Sequence, residues 1–313
     1  MPKLSIIGAG NLGAAIAQEI AARGLVKELV LIDLLKDLAV GQAADIQQAL
    51  PYRHKTKVYA ADYPAIKDSD IIIITAGKPR TAEMKNRLVL AETNIKIVGS
   101  IIQEIKKYYP YAIIITITNP MDIINHFIHQ QGFPREKVIG SGGQLDSSRF
   151  RIALGFPEQE VEAYVLGEHG EDQVPIFSRV MIKGRKSSFS TEEKVNIKER
   201  IRQTALTVIQ KKGATVFAPA AATADMVEAI IKDQKRLLMC SVNLKGEYGL
   251  TDVSLGVPVI LGRKGLEKIE QWSLEPEELQ QLQEAGRKLQ EFKTTLSRAE
   301  KTNSSTRSAG TAG

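Results

Sequence analysis

Short apolar runs alternate with amphipathic stretches in the first part of the chain. The runs are almost continuous in apolar residues, which is typical of parallel strands covered on both faces; they occupy residues 4–7, 29–32, 71–74 and 113–117. Helix-like segments separate them at residues 11–23, 36–50 and 87–108. This strand–helix repetition predicts an α/β fold with a doubly wound parallel sheet.

The pattern changes after about residue 142, where the strand-like pieces become shorter and the helices longer. We predict a helix near residues 147–154, strand-like pieces at 161–166 and 174–182, helices at about 191–212 and 216–232, and a hairpin of residues 237–242 and 253–261. A final helix begins at Pro276, has acidic residues in its first turn and runs toward residue 297. This half of the chain therefore indicates a second domain of α+β type.

These patterns divide the chain into three parts. Residues 1–142 form the doubly wound domain, and residues 143–300 form the second domain. Residues 301–313 are mostly Ser, Thr, Gly and Ala, with almost nothing to bury. We expect this last segment to be a disordered tail.

A glycine-rich loop follows the first predicted strand and opens the first helix. It reads Gly8-Ala9-Gly10-Asn11-Leu12-Gly13. Glycines there allow a tight turn and a close approach of the backbone to a pyrophosphate, which the helix N-terminus also attracts. Asp33 follows Gly13 by 20 residues, at the end of the second strand. An acid at that place binds ribose hydroxyls and repels a 2′-phosphate, so the loop predicts an NAD-binding Rossmann domain.

The composition and charge of the chain indicate which kinds of partner and which compartment to expect. The chain has 313 residues, a formal net charge of +6 and a single cysteine, Cys240. The lysines are interleaved with acids and do not form a patch, so we expect neither a nucleic acid nor a membrane as partner. One cysteine fits a reducing compartment, and we find no signal peptide or long apolar run. These features predict a cytoplasmic protein.

Candidate catalytic residues lie near the middle of the chain. Gly167-Glu168-His169-Gly170 places one of the four histidines between two glycines, and Leu145-Asp146-Ser147-Ser148-Arg149 lies upstream. A histidine, a carboxylate that orients it and an arginine that holds an acid are the groups needed to oxidise a 2-hydroxy acid. The alternative for Asp146 and Arg149 is a helix start with a surface ion pair.

Further motifs occur in order along the chain, before and after these two. They are Thr75-Ala76-Gly77-Lys78-Pro79-Arg80 and Thr118-Asn119-Pro120-Met121-Asp122, with Gly246-Glu247-Tyr248-Gly249 and Gly256-Val257-Pro258 downstream. Together they resemble the lactate/malate dehydrogenase superfamily, closest to its lactate-dehydrogenase-like malate dehydrogenases of archaeal type. The resemblance covers about residues 3–298.

The resemblance implies a role for each site residue. His169 would be the general base, Asp146 would orient it, Arg149 would bind the C1 carboxylate and Arg87 would polarise the reacting carbonyl. Asn119 would bind the reacting oxygen or the cofactor, and Thr215 would line the substrate pocket. The expected NAD contacts are Gly8, Gly10, Asn11, Leu12, Gly13, Asp33, Thr75, Ala76, Gly77, Asn94 and Asn119. No metal is expected.

The substrate depends on the segment that follows Gly77. In malate enzymes of this family an arginine three residues after this glycine binds the distal carboxylate, and Arg80 occupies that position. The spacing from Arg80 to Arg87 is one residue longer than the family pattern, so that counting back from Arg87 reaches Thr81. Lys85 is an alternative cation. Malate and oxaloacetate are the predicted pair, with L-lactate dehydrogenase or another 2-hydroxy acid dehydrogenase as the alternative.

Two further expectations concern class and assembly. A non-catalytic dinucleotide-binding protein is the competing class, and it would have no need for Arg87, Asp146, Arg149 and His169 together. By resemblance, the chain is expected to form a homotetramer or a homodimer.

Overall fold

This computed structural model describes residues 2–52, 54–79, 87–157 and 160–309, with residues 87 and 297–309 described by their backbone alone. The first half alternates strands and helices: β1 (Lys3–Ile7), α1 (Asn11–Ala22), β2 (Glu28–Ile32), α2 (Lys36–Gln48), β3 (Lys57–Ala60), β4 (Ile71–Ile74), α3 (Arg87–Tyr108), β5 (Ile113–Thr116), α4 (Met121–Gln130) and β6 (Val138–Ser141).

The six strands of this half form a parallel sheet in the order β3-β2-β1-β4-β5-β6. All four isoleucines of β4 are fully buried, as expected for a strand covered by helices on both faces. The predicted doubly wound α/β sheet is therefore confirmed. Its strand order reverses between β1 and β4, and such a point opens a crevice at the carboxyl edge of the sheet.

The apolar pattern did not predict three elements of this half. β3 lies at the edge of the sheet and begins with the exposed Lys57. β6 ends in Gly140 and Ser141, so its apolar run is short. α4 is short, with 10 residues, and buries polar side chains, among them Asp122, that an apolar pattern does not mark.

The second half contains α5 (Gly143–Leu154), β7 (Val161–Glu162), β8 (Val165–Gly167), β9 (Gln173–Pro175), β10 (Met181–Ile182), β11 (Arg185–Lys186), α6 (Thr191–Lys212), α7 (Phe217–Ile231), β12 (Arg236–Lys245), β13 (Thr251–Gly262), β14 (Gly265–Ile269) and α8 (Pro276–Ala309). β12 and β13 pair antiparallel, so the predicted hairpin is confirmed. β12 also pairs antiparallel with β6, and the parallel sheet thereby continues into this half.

Two predicted strands of this half are broken in the structure. Residues 161–166 form β7 and the start of β8, which pair with different strands. Residues 174–182 contain the end of β9, a 3-10 helix at Phe177–Arg179 and β10. Apolar side chains at these positions enter the core from irregular backbone, which period-two reasoning cannot distinguish from a strand.

The last helix is longer than predicted. It was expected to run toward residue 297, with a disordered tail after residue 300, but α8 continues to Ala309. Neither Gly nor Pro occurs between Gly286 and Gly310, so the sequence contains no residue that strongly stops a helix in this interval. The helix thus extends into the predicted tail, and the disorder expected for residues 301–313 stays a prediction.

Among the residues that the structure describes, no single helix is long and apolar enough to cross a membrane. One pair, α6 and α7, meets the length and composition criteria together, with a bend of 116° between the two helices.

Candidate active site

The glycine-rich loop lies at the carboxyl end of β1, in the crevice where the strand order reverses. Gly8 has a φ of +106°, and a Cβ there would lie 2.6 Å from the backbone N of Ala76. A Cβ on Gly13 would collide with the carbonyl oxygen of Gly8. A Cβ on Gly10, in contrast, would meet nothing within 4 Å. Gly8 and Gly13 are thus needed for packing, whereas Gly10 borders open space beside the N-terminus of α1.

This arrangement fits a dinucleotide. Gly10 is the residue that precedes α1, and its side of the loop is open. The first N–H groups of a helix have no acceptor within the helix, and they favour a negative charge. Asn11, Leu12 and Gly13 begin α1 and would present these groups to a pyrophosphate.

Asp33 follows β2 and supports the loop directly. Its Oδ2 accepts a hydrogen bond from the backbone N–H of Ala9 at 2.7 Å, and its Oδ1 accepts one from Leu35 at 2.9 Å. The side chain is half-exposed, and each carboxylate oxygen can accept a second hydrogen bond. Asp33 therefore combines a structural contact with room for ribose hydroxyls.

Exchanging Asp33 for serine is expected to weaken discrimination against NADP by at least about tenfold, because a carboxylate repels a 2′-phosphate and a hydroxyl does not. The ratio of kcat/KM for NADH and NADPH measures this effect. Asp37→Ser is the matched control, since Asp37 is an exposed acid in the first turn of α2. An unchanged ratio in Asp33→Ser would show that Asp33 does not face the ribose.

A second loop lies beside the first, where Thr75, Ala76 and Gly77 follow β4. The hydroxyl of Thr75 donates to the carbonyl oxygen of Gly8 at 2.8 Å, which joins the two loops. The hydroxyl of Thr118 donates to the carbonyl oxygen of Ala76 at 2.8 Å. The residues after β1, β4 and β5 are thus held together at one edge of the sheet.

Asn94, a predicted cofactor contact, connects two of these loops. Its side chain is fully buried; its Oδ1 accepts from Lys78 N–H at 2.7 Å, and its Nδ2 donates to Asn119 O at 2.7 Å. Asn94 therefore joins the loops that follow β4 and β5, and its predicted contact with the cofactor stays a prediction. Asn119 is exposed at the edge of the crevice.

The candidate base and its carboxylate are brought together from different elements. His169 lies in the turn between β8 and β9, and Asp146 lies in the first turn of α5. Nδ1 of His169 is 2.7 Å from Oδ2 of Asp146. An ionised carboxylate can only accept, so Nδ1 carries the proton and Nε2 has the free lone pair.

Arg149 completes this group. Its Nη1 donates to Oδ1 of Asp146 at 3.1 Å, and its side chain is 15% exposed. The two oxygens of Asp146 thereby hold an imidazole and a guanidinium side by side. A guanidinium offers five donors, so Arg149 retains others for a substrate carboxylate.

The electrostatics of His169 favour its protonated form. Burial acts to lower the pKa of its imidazole, but the charge and hydrogen bond of Asp146, together with the charge of Asp122, raise it. The net result is a pKa above the usual value of histidine. His126 behaves oppositely, because burial lowers its pKa to about 4.

Two residues near His169 were not among the predicted site residues. Asp122, in the first turn of α4, is buried and its Oδ2 accepts from the backbone N–H of His169 at 2.8 Å. Gly142 precedes α5, and a Cβ there would lie 2.7 Å from Cγ of His169. One indication of Asp122 was present in the sequence, since it is the last residue of the motif that begins at Thr118. Its contact with His169 could not be predicted, because the two residues are 47 positions apart.

The structure describes the remaining predicted substrate-binding residues only in part. Arg80 and the side chain of Arg87 lie outside the described residues, as do Thr81 and Lys85. Thr215 is half-buried in the segment between α6 and α7, and no hydrogen bond within the described part of the chain joins it to His169.

A dinucleotide crevice bordered by an Asp-oriented histidine and an arginine defines an NAD-dependent dehydrogenase. Comparison with known proteins gives the family. The model of the lactate/malate dehydrogenase NAD binding domain matches residues 2–140, and that of the lactate/malate dehydrogenase alpha/beta C-terminal domain matches residues 143–300. The chain belongs to the lactate/malate dehydrogenase family, whose members are NAD-dependent 2-hydroxy acid dehydrogenases.

Individual relatives carry both names. A malate dehydrogenase of Halobacterium salinarum is 42% identical over 92% of this chain and 97% of its own length. An L-lactate dehydrogenase of Acetivibrio thermocellus is 37% identical over 94% of this chain and 97% of its own length. The solved apo structure of malate dehydrogenase from Picrophilus torridus has a TM-score of 0.89 and 31% identity, covering 96% and 99% of the two chains.

Proposed function

We propose that this protein is an NAD-dependent malate dehydrogenase that interconverts malate and oxaloacetate. The observation that carries the proposal is the contact of Asp146 with both His169 and Arg149, at 2.7 and 3.1 Å. This contact supports a proton acceptor beside a carboxylate binder at the carboxyl edge of the dinucleotide sheet. A protein that only binds dinucleotides has no use for this pair.

The proposed reaction assigns the proton to His169. In malate oxidation, Nε2 takes the proton of the C2 hydroxyl while the C2 hydride leaves toward the cofactor; in oxaloacetate reduction, Nε2–H returns the proton. NAD, when bound, supplies the hydride acceptor. Asp146 stabilises the imidazolium that forms when His169 takes up the proton.

The arginines orient the substrate. Arg149 is held by Asp146 and binds the C1 carboxylate, so that C2 is fixed relative to Nε2 of His169. Arg87 begins α3, and by family resemblance its side chain polarises the C2 carbonyl. Asn119 and Thr215 complete the proposed pocket.

Malate is favoured over lactate by two observations. Four malate dehydrogenases, among them that of Halobacterium salinarum, are 40–42% identical to the chain, and that of Cytophaga hutchinsonii is 38% identical. Two L-lactate dehydrogenases are 36–37% identical. Arg80 supplies a cation at the sequence position where malate enzymes bind the distal carboxylate. The longer Arg80-to-Arg87 spacing favours L-lactate dehydrogenase as the second candidate.

Arg80→Gln is expected to lower kcat/KM for oxaloacetate by about 10- to 100-fold, the worth of one charge-assisted hydrogen bond to a carboxylate. Activity with pyruvate, which has no distal carboxylate, should fall much less. Steady-state NADH oxidation measures both values. Lys78→Gln is the matched control, since it removes an exposed cation two residues away; an effect as large as that of Arg80→Gln would indicate a general loss of positive charge.

We further propose that the chain acts in the cytoplasm as a homotetramer or homodimer, with neither a nucleic acid nor a membrane as partner. The family resemblance supports the assembly. The single cysteine, buried in β12, fits a reducing compartment. Light scattering at several protein concentrations distinguishes the two assemblies from each other and from a monomer.

A further inference from the structure

Asp122 is a buried acid that the proposed reaction does not use. It lies in the first turn of α4, and 3% of its surface is exposed. A carboxyl group is costly to bury unless a specific partner compensates for the lost water. Its partner lies in the other half of the chain.

That partner is the backbone of the candidate base. Oδ2 of Asp122 accepts a hydrogen bond from the backbone N–H of His169 at 2.8 Å. Gly167, two residues earlier, has a φ of +91° and pairs with Gly256 of β13. The bond to Asp122 therefore fixes the chain where it leaves β8 and turns toward β9.

His169 is consequently held from three directions. Asp146 binds Nδ1 of the ring, Gly142 lies so close that a Cβ there would be 2.7 Å from Cγ, and Asp122 binds the main chain. Asp146 and Gly142 act on the ring itself. Of these three residues, only Asp122 connects His169 to α4. This helix begins shortly after Asn119, which lies at the edge of the cofactor crevice.

We propose that Asp122 is a positioning residue of the dehydrogenase, which sets the placement of the His169 imidazole through the main chain without touching the substrate. This inference rests on the proposed function, because it concerns the same base. Misplacing a reacting group by about 1 Å costs roughly 100-fold in rate, so one backbone hydrogen bond at this position has a kinetic consequence.

The charge of Asp122 also acts on the base. Burial raises the pKa of Asp122, and the Ser241 hydroxyl and His169 partly offset this effect. Asp122 in turn raises the pKa of His169. The negative charge of Asp146 also raises the pKa of Asp122. Three further titratable groups line a small cleft together with Asp122, namely His126, Asp252 and Lys293.

Two substitutions separate the hydrogen bond from the charge. Asp122→Ala removes both, and we expect kcat for oxaloacetate to fall about 10- to 100-fold with little change in KM or NADH affinity. Asp122→Asn keeps an oxygen that can accept, so kcat should stay within about threefold of wild type. Both variants should move the apparent pKa of the base downward, because a nearby negative charge is lost.

Glu278 provides the control. It is a buried acid at the start of α8 whose carboxylate accepts from the backbone N–H and the hydroxyl of Ser178 at 2.9 and 2.6 Å. Glu278→Gln removes its charge and Glu278→Ala removes its acceptors, and no hydrogen bond among the described residues joins Glu278 to His169. We expect neither variant to shift the apparent pKa of the base.

The decisive readout is the titration of the His169 imidazole, followed by NMR in the free protein and assigned by its loss in His169→Asn. A lower pKa in Asp122→Asn, with kcat preserved there and lost in Asp122→Ala, supports the proposal. An unchanged pKa in Asp122→Asn, or equal losses of kcat in Asp122→Ala and Glu278→Ala, would overturn it. If the wild-type protein turned over no 2-oxo acid, the proposed function would be refuted. The NMR titration would then still test whether Asp122 affects His169.

Discussion

Substituting His169 by asparagine is expected to lower kcat for oxaloacetate reduction by about 10²- to 10⁴-fold, the usual contribution of a general acid or base. Asparagine has nearly the polarity of imidazole but cannot exchange a proton near neutral pH. His169 lies outside the glycine-rich loop, so NADH affinity should change little. Steady-state kinetics and a fluorescence titration with NADH measure the two quantities.

His129→Asn is the control for this substitution. His129 lies in the last turn of α4, where its Nδ1 is 2.9 Å from the carbonyl oxygen of Phe133. We expect its kcat to match wild type. Normal turnover by His169→Asn combined with weakened NADH binding would contradict the assignment of His169 as the base.

Replacing Asp146 by asparagine should cost roughly 10²- to 10⁴-fold in kcat, because the amide changes the tautomer of its partner. Asp146 accepts from Nδ1 of His169 and thereby leaves the lone pair on Nε2. An amide N–H₂ turned toward Nδ1 would place the proton on Nε2 instead, where it cannot accept the substrate proton. The same amide would loosen Arg149, so KM should also rise.

The pH dependence of this variant has a definite sign. Asp146 helps to raise the pKa of His169, so its neutralisation lowers that pKa. Oxaloacetate reduction needs protonated His169 and falls as pH rises through the pKa, whereas malate oxidation needs the neutral form and rises there. Both transitions should therefore move to lower pH in Asp146→Asn. Profiles of kcat/KM in both directions check this, and a shift to higher pH would contradict the account.

The parts of this fold that the sequence predicts are those determined by local chemistry. The isoleucine run of β4 and the glycine loop after β1 need no distant partner to be recognised, and each lies where it was expected. Asp146 and His169 were also found from their motifs. Their residue types suit the chemistry, and the structure brings them within hydrogen-bond distance.

The parts that the sequence did not predict depend on long-range contacts. Nothing near Gly142 in the sequence shows that the ring of His169 packs against it. Asn94 is a polar residue in a helix, and only the fold shows that it is buried between the backbones of Lys78 and Asn119. The broken strands between Val161 and Ile182 have the same origin, since tertiary packing there determines the backbone more strongly than local pattern does.

The central claim is that this NAD-dependent dehydrogenase acts on a dicarboxylic acid. The most direct test is the kcat/KM of the wild-type protein for oxaloacetate and for pyruvate, with NADH at saturation. A distal carboxylate bound by one arginine should favour oxaloacetate by about 10-fold or more. Equal or greater efficiency with pyruvate would contradict the claim and make the protein an L-lactate dehydrogenase of the same family.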